Sequence, residues 1–334
     1  MATRKSATGD TAAKKTDPAK VSPKKVVTKK SVSRGSKTAV EGSEVPLPKE
    51  VASTAGGIHS RNKLNDLGSK EWITETVSVW RQRGLGAGHP DAQIEKQHPA
   101  PFSFTDVSRL IRFFSKAGET VLDPFVGVGS TLKAAALEGR KGIGIELSHH
   151  FVQLSKERLA VESEGEMKGL PEQIILEGDS REVLPTLPDN SVDFVVTSPP
   201  YWNILHKVDH KVEQERNAKG LPSRYSNDDV KDLGNISDYE IFLKELVGIF
   251  DECGRVLRPK KYLCAVVGDF RDKGRYRMFH SDLASACEEI GYVLKGIIIL
   301  HQPHKRVFPY GYPAAYVPNL HHQYILVLRN ERSA

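Results

Sequence analysis

The chain has 334 residues, of which 39% are hydrophobic and 27% charged, and its formal net charge is +6. This length accommodates one large α/β domain with appendages. No apolar run approaches the ~20 residues of a membrane span, and no secretory signal opens the sequence. The three cysteines show neither CxxC nor Cys/His spacing. We therefore expect a protein of a reducing compartment, with no membrane span and no metal site.

Residues 1–45 are rich in Lys, Ala, Thr, Ser and Pro, without aromatic residues or periodicity. Residues 1–40 hold nine Lys and two Arg against Asp10 and Asp17, a net charge of +9, so the remainder of the chain carries −3. Such a segment cannot bury enough apolar surface to offset its ordering entropy, and we expect it to be disordered. It could serve as a nonspecific phosphate-binding arm, or only as a solubilising tail or localisation signal.

Residues 46–97 are predicted to form an N-terminal helical extension. The spacing of Trp72, Ile73, Val77 and Trp80 favours one helix over Lys70–Gln82, which the glycines at 84, 86 and 88 would end. A structural cover on the main domain is the favoured interpretation of this helix, ahead of a contact with nucleic acid.

Residues 98–334 alternate between strand-like and helix-like patterns. The predicted strands are Thr120–Phe125, Gly142–Leu147, Ile174–Glu177, Val192–Thr197, Tyr262–Val267, Val293–Leu300 and Tyr324–Leu328. The predicted helices are Thr105–Lys116, His149–Glu162, Ser237–Leu257 and Ser281–Ile290, the third beginning with a capping box of Ser237 and Glu240. This alternation predicts an α/β fold with a Rossmann-like, doubly wound sheet of seven strands, whose last strand returns antiparallel.

The sequence DPFVGVGS, residues 123–130, follows the first of these strands. Gly127 and Gly129 allow the backbone to approach a ligand closely, and Ser130 or Thr131 could cap the next helix. Glu146 ends the second strand, where a carboxylate can accept hydrogen bonds from two ribose hydroxyls. These features alone also fit a dinucleotide site, and single acids at strand ends are often only capping residues.

The sequence SVDFVVTSPPYWN, residues 191–203, combines a buried strand with a rigid loop. Pro199 and Pro200 fix the backbone just after the strand, at the sheet edge where α/β proteins bind ligands. A planar heteroaromatic amine could stack on Tyr201, while Ser198 and the Pro199 carbonyl accept from its exocyclic NH2 group. The competing interpretation is a proline-rich surface turn whose aromatic side chains belong to the core.

The motifs DPFVGVGS and TSPPYW resemble those of the exocyclic-amino DNA methyltransferases, over about His98 to Leu328. Ser198 resembles the cytosine-N4 branch more than the adenine-N6 branch, which usually has Asp or Asn there. The resemblance implies a class I S-adenosylmethionine-dependent methyltransferase fold and S-adenosyl-L-methionine as cofactor. It implies a catalytic set of Ser198, Pro199, Pro200 and Tyr201. It also implies a cofactor-binding set of His98, Pro99, Asp123, Pro124, Phe125, Gly127, Gly129, Ser130, Glu146 and Asp179.

Individual cofactor contacts follow from the same resemblance. His98 and Pro99 would lie along the methionine moiety, and Asp123 would face its amine. Glu146 would take the ribose hydroxyls, and Asp179 would accept from the adenine amino group.

Two inserts, residues 204–234 and 301–323, are candidate DNA-contact regions. Basic and aromatic residues in the second insert and in the loop near residue 273 suit phosphate contact and base stacking. The predicted nucleic-acid-binding residues are Trp202, Arg271, Lys273, Arg275, Lys305, Arg306 and Tyr310. A proline-braced loop with core aromatics is the alternative for residues 301–323.

We expect double-stranded DNA as partner, methylated at cytosine N4 after the base leaves the helix. Adenine N6, RNA, a protein amide and a non-catalytic DNA-binding module stay open as alternatives. A cognate restriction endonuclease is an expectation of the family, and the oligomeric state is left open. The expected location is the cytoplasm, at a bacterial nucleoid, or the nucleus of a eukaryotic source.

Overall fold

The computed structural model describes residues 57–82, 89–99, 103–164, 169–207, 214, 217–221 and 229–332. The expected disordered tail, residues 1–45, and about half of the first insert lie outside them. In the described part the helices are α1 Ser69–Glu75, α2 Pro90–Glu95, α3 Phe104–Phe114, α4 Ser130–Leu137, α5 His149–Glu164, α6 Ser180–Val183, α7 Tyr239–Val256 and α8 Phe279–Glu289. Short 3-10 turns cover Leu184–Thr186, Trp202–Lys207 and Leu233–Asn235.

The strands of the described part form one large sheet and one small hairpin. They are β1 Val79–Arg81, β2 Thr120–Asp123, β3 Lys141–Glu146, β4 Gln173–Glu177, β5 Val192–Thr197, β6 Leu257–Val267, β7 Phe270–Asp272, β8 Arg275–Arg277, β9 Tyr292–His301 and β10 His322–Asn330. The large sheet has the order β1-β9-β10-β6-β5-β2-β3-β4. Strand β10 runs antiparallel to both of its neighbours, which confirms the predicted α/β methyltransferase fold and its reversed last strand.

The N-terminal extension differs from the prediction, because the single helix over Lys70–Gln82 is wrong. The chain forms α1 and then the short strand β1, which pairs parallel with β9 and makes an eighth strand. Val79 is exposed whereas Trp80 is 2% exposed, the two-residue alternation of a half-buried strand. Residues 79–81 form a strand because they pair with the edge of β9, and a helical spacing read from the local sequence cannot show a partner so distant in the chain.

Helix α7 also begins differently from the prediction. The capping box of Ser237 and Glu240 is wrong: Asp238 is the capping residue, and its carboxylate accepts from the Ile241 amide at 3.0 Å. Tyr239 is thereby the first helical residue and is buried, with its hydroxyl donating to Asp282 at 2.7 Å. The capping residue is therefore Asp238 and not Ser237, a shift of one residue that accompanies the burial of Tyr239.

The core lies on both faces of the sheet, because successive residues of the central strands point to opposite sides. On one face Val195, Leu263 and Ala265 pack with helices α7 and α8. On the other face Phe194, Val196 and Cys264 pack with α3, as expected for Cys264 from its apolar strand. The carboxyl ends of β2, β3, β4 and β5 therefore meet at one edge of a fully packed scaffold.

Candidate active site

A cavity of about 440 Å³ opens at the carboxyl ends of these parallel strands, and we call it the first cavity. Predicted cofactor and catalytic residues share its wall: His98, Pro124, Phe125, Glu146, Asp179, Ser198 and Pro200. They come from separate segments of the chain, and the sheet order brings those segments together. The predicted residues Pro99, Asp123, Gly127, Gly129, Ser130 and Pro199 are absent from the wall of this cavity.

Glu146 ends β3 and holds two loops by their backbones. One carboxylate oxygen accepts from the Gly127 amide at 2.9 Å, and the other accepts from the Ser148 amide at 2.8 Å. Burial raises the pKa of Glu146 to about 7, although these two hydrogen bonds lower it. Each carboxylate oxygen has a second lone-pair direction, so Glu146 can still accept from ligand hydroxyls.

Asp123 holds the loop in place from behind, rather than facing the first cavity. Its carboxylate accepts from Thr197 Oγ1 at 2.7 Å, Thr131 Oγ1 at 2.5 Å and the Phe125 amide at 3.0 Å. The residue is 2% exposed, and burial raises its pKa to about 6. Its carboxylate ties the glycine loop to the end of β5, and its contact with a cofactor amine stays a prediction.

The glycine loop is shaped by close approach of other side chains. Gly127 has φ +55°, and a Cβ there would lie 3.3 Å from His98 Nε2. Gly129 has φ +80°, and it occupies the capping position of α4 that the sequence assigned to Ser130 or Thr131. Ser130 is instead buried. Its Oγ donates to Glu95 Oε1 at 3.4 Å and accepts from Arg158 Nη1 at 3.2 Å. Gly127 thus leaves room for His98 in the cavity wall, and the prediction that Ser130 or Thr131 caps α4 was wrong.

A buried charge cluster fixes the segment that carries His98. Asp91 lies in α2 and accepts from Lys133 Nζ at 2.7 Å and from Arg158. These three side chains are nearly fully buried, so each charge needs its partners. The cluster anchors α2 to α4 and α5, and His98 packs on Phe151 with ring centroids 4.7 Å apart.

Asp179 is already engaged by a neighbouring cation. It caps α6, and its carboxylate accepts from the Arg181 amide at 2.9 Å and from Arg181 Nη2 at 2.7 Å. Arg181 also donates to Glu245 at 2.8 Å. Asp179 lines the first cavity, as predicted, but a ligand amine would share its oxygens with Arg181.

Ser198 and Tyr201 stand between two cavities. Ser198 Oγ lies 3.1 Å from Tyr201 Oη, and Ser198 faces the first cavity. Tyr201 faces a second cavity of about 550 Å³. Burial raises the pKa of Tyr201 to about 12, so its phenol stays protonated at neutral pH.

The second cavity gathers most of the predicted nucleic-acid-binding residues. Arg271, Lys305, Arg306 and Tyr310 line it together with Tyr201. The loop between β9 and β10 supplies three of them and is braced internally, since Asn319 exchanges two 2.9 Å hydrogen bonds with the Phe308 backbone. Lys273 and Arg275 are absent from this wall; they are exposed on the β7–β8 hairpin.

Trp202 does not fit the predicted contact with nucleic acid. It is 5% exposed and packs against Tyr239 and Phe270, with centroids 5.5 and 5.8 Å away. The indole therefore belongs to the core beneath the loop. The alternative of core aromatics thus holds for Trp202, whereas Tyr201 borders a cavity.

Several wall residues were missed by the sequence interpretation. In the first cavity they include Ser148, His149, His150, Ser180, Lys231 and Leu233; in the second they include Asp269, Phe308, His322 and Gln323. Lys231 and Leu233 end the first predicted insert, so that insert does reach the site. The available signal for Ser148 and Ser180 was a polar residue two or three positions after the end of a strand.

Two kinds of feature are absent from the described residues. No group of three or more His, Cys, Asp or Glu side chains there is placed to hold a metal ion. No helix in the same part of the chain has both the length and the apolar character needed to cross a membrane.

Two curated methyltransferases show the range of sequence similarity. The orphan methyltransferase M.BamHII of Bacillus amyloliquefaciens is 36% identical over 30% of this chain and 36% of its own length. The type II methyltransferase M.MjaI of Methanocaldococcus jannaschii is 32% identical over 46% of this chain and 54% of its own length. The chain therefore spans between about a third and a half of the length of these relatives.

A solved protein of Thermus thermophilus, complexed with S-adenosyl-L-methionine, is 32% identical over 47% of this chain and 52% of that chain, with a TM-score of 0.32. Because this TM-score is low, the family is assigned from the sequence match alone. A family model for N6/N4 methyltransferases, described as DNA methylase, matches residues 13–157 and 192–334. These ranges include both motifs and most of the chain, so the chain belongs to the N6/N4 DNA methylase family.

Proposed function

We propose that this chain is a DNA methyltransferase that transfers a methyl group from S-adenosyl-L-methionine to N4 of a flipped-out cytosine. The observation that carries the proposal is the hydrogen-bonded pair of Ser198 and Tyr201, which joins the first cavity to the second. A methyl donor in one cavity and a target amine in the other would meet at this pair. Membership of the DNA methylase family supports the reaction class.

The residues of the first cavity fit S-adenosyl-L-methionine. Glu146 offers a half-buried carboxylate to ribose hydroxyls, Asp179 offers a second acceptor, and Phe125, Ile145 and Leu233 give apolar walls. Bound there, the cofactor supplies an electrophilic methyl group. The negative carboxylates suit a ligand that donates hydrogen bonds, and they do not suit a pyrophosphate.

Ser198 and Tyr201 supply positioning. An exocyclic amine conjugated with its ring is a poor nucleophile, and hydrogen bonds from its N–H groups to Ser198 Oγ and the Pro199 carbonyl favour a pyramidal nitrogen. Tyr201 offers its ring face to the base. Ser198 is a poor base at neutral pH, so it orients the amine; the N–CH3 bond would form as the S–CH3 bond of the donor breaks to leave a thioether, and the proton would then pass from nitrogen to water. The main contribution is to hold the reacting atoms at about 3 Å.

The second cavity supports nucleic acid as the substrate. Arg271, Lys305 and Arg306 can neutralise phosphates, and Tyr310 can stack on a base. The choice of cytosine N4 is supported by Ser198, where the adenine-N6 branch usually carries Asp or Asn.

Mass spectrometry of nucleosides tests the reaction and the base together. DNA from cells that express the chain should contain N4-methylcytosine, and cells with the Ser198→Ala variant should lack it. N6-methyladenine instead would keep the family and overturn the base. Absence of both products, with cofactor binding intact, would contradict DNA methylation and direct the search to RNA or protein amides.

A further inference from the structure

A chain of three glutamine side chains leads from a buried carboxylate to the catalytic loop. It begins at Asp106, which is 7% exposed and accepts from Gln82 Nε2 at 2.8 Å. Gln82 directly follows β1, and its backbone amide donates to His301 at 2.9 Å. An ionised carboxylate only accepts, so it fixes the Gln82 amide with its NH2 group toward Asp106 and its oxygen away.

The next residue, Gln302, lies in the hairpin of β9 and β10, and its amide is oriented by the Gln82 oxygen. Gln302 Nε2 donates to Gln82 Oε1 at 3.1 Å and to Gln323 Oε1 at 3.0 Å. Rotating the Gln302 amide by 180° would place its oxygen against two oxygens. Its own oxygen has no hydrogen-bond partner in the described part of the chain, so the two acceptors facing Nε2 alone decide the orientation of this amide.

The last link reaches Tyr201 and Ser198. Gln323 Nε2 donates to Tyr201 Oη at 2.7 Å, and Tyr201 Oη donates to the Val266 carbonyl at 3.2 Å. A phenol has one hydrogen, and the Val266 carbonyl takes it. The 3.1 Å contact between Ser198 and Tyr201 must therefore have Ser198 as the donor.

We propose that Gln323 is a positioning residue that, together with Gln302, Gln82 and Asp106, fixes the Ser198 hydroxyl as an acceptor for the target amine. This inference rests on the proposed function. With its hydrogen committed to Tyr201, Ser198 Oγ turns its lone pairs toward the junction of the two cavities. If the hydroxyl were free to rotate, its hydrogen would meet an N–H of the amine in part of the population.

We call the hydrogen-bonded series Asp106, Gln82, Gln302, Gln323, Tyr201 and Ser198 the relay. It also gives the unpredicted strand β1 a role. Parallel pairing of β1 with β9 sets Arg81 beside His301, and so brings Gln82 next to Gln302. The N-terminal extension is then more than a cover on the sheet, because it supplies the link between Asp106 and the hairpin.

A double-mutant cycle between Gln323 and Tyr201 tests the relay. Gln323→Met keeps the side-chain length and removes the amide, and Tyr201→Phe removes the hydroxyl. We expect kcat to fall about twofold to tenfold for Gln323→Met, the effect of losing one neutral hydrogen bond, with the Kd for S-adenosyl-L-methionine unchanged. In the Tyr201→Phe background, Gln323→Met should have no further effect, because its partner is already gone. If the loss of kcat in the double variant equals the product of the two single losses, the two residues act independently and the relay is wrong.

A spectroscopic readout separates failure of the relay from failure of the proposed function. In protein labelled with ¹³Cζ-tyrosine, the Tyr201 resonance is the one lost in Tyr201→Phe. It should move in Gln323→Met and also in Gln82→Met, while Gln93→Met on the exposed face of α2 is the matched control. If it moves in neither relay variant, the relay is refuted even where DNA is methylated. If wild-type protein methylates no DNA but the resonance moves, the relay stands and the proposed reaction fails.

Discussion

The two cavities that meet at Ser198 and Tyr201 are built in opposite ways. In the first cavity the carboxylates at the strand ends are half-buried or buried and already accept hydrogen bonds from the protein, as Glu146 does from two backbone amides. In the second, the lining comes from a hairpin and a long loop whose side chains stay open to solvent, with Tyr310 53% exposed and Phe308 42% exposed. The first therefore suits the small molecule that we propose as methyl donor, and the second, cationic and aromatic, suits the polyanion that we propose as substrate.

This contrast teaches where each kind of substitution should act. Changes in the first cavity should alter cofactor affinity and leave nucleic-acid binding unaltered, and changes in the second should do the reverse. The pair at the boundary, and Gln323 that positions it, should affect turnover without altering either affinity.

Ser198→Ala should have the largest effect, because it removes the acceptor that the transition state needs. We expect single-turnover methylation to fall about 10²- to 10³-fold, the cost of deleting one oriented hydrogen-bonding group at a reacting centre. Calorimetric Kd values for cofactor and DNA should stay near those of the wild type. Ser191→Ala, at the other end of β5 where the hydroxyl donates to Pro188, is the control. An unchanged rate would remove Ser198 from the mechanism.

Asp123→Asn should change how stability depends on pH. The pKa of Asp123 is about 6 in the folded chain and 3.8 ordinarily, so the folded state binds more protons between these values. Stability therefore falls as the pH rises from about 4 to about 6, by up to about 3 kcal/mol. Asn can exchange hydrogen bonds with both threonine hydroxyls and cannot titrate, so its curve should be flatter. Urea unfolding from pH 4.5 to 7.5 measures this, and parallel curves would contradict it.

Glu146→Gln should weaken cofactor binding by about tenfold to a hundredfold, the loss expected for a charged hydrogen-bonding group. Because the pKa of Glu146 is about 7, wild-type affinity should fall as the pH falls through that value, when the carboxylate takes up a proton. The variant should lack this dependence. Calorimetry between pH 6 and 8 tests both points, with Glu119→Gln, just before β2, as control. The same pH dependence in the variant would assign it to another group.

The sequence contained enough to predict the scaffold and the centre of the site. The apolar run of β5 followed by two prolines indicated both a buried strand and a rigid loop, since those signals are local. Strand β1 escaped prediction because its pairing partner, β9, is more than 200 residues away in the chain. The burial of Trp202 was not predicted, because a loop motif does not show which of two adjacent aromatic residues packs into the core. Gln302 and Gln323 carried no signal at all, since only the paired strands bring the Gln323 amide to Tyr201 and the Gln302 amide to Gln323.

Replacing Lys305 and Arg306 with Gln together should have the smallest effect, and it should be confined to the second cavity. Each lost phosphate contact should lower the salt dependence of DNA affinity, d log K/d log[salt], by about 0.9 in magnitude. At moderate salt we expect a several-fold loss of affinity for duplex DNA of any sequence and an unchanged Kd for the cofactor. Lys141→Gln, an exposed lysine at the start of β3 and hence at the opposite edge of the sheet, is the matched control. If the salt slope does not change, the loop does not contact phosphate; if cofactor affinity falls instead, the separation of the two cavities is wrong.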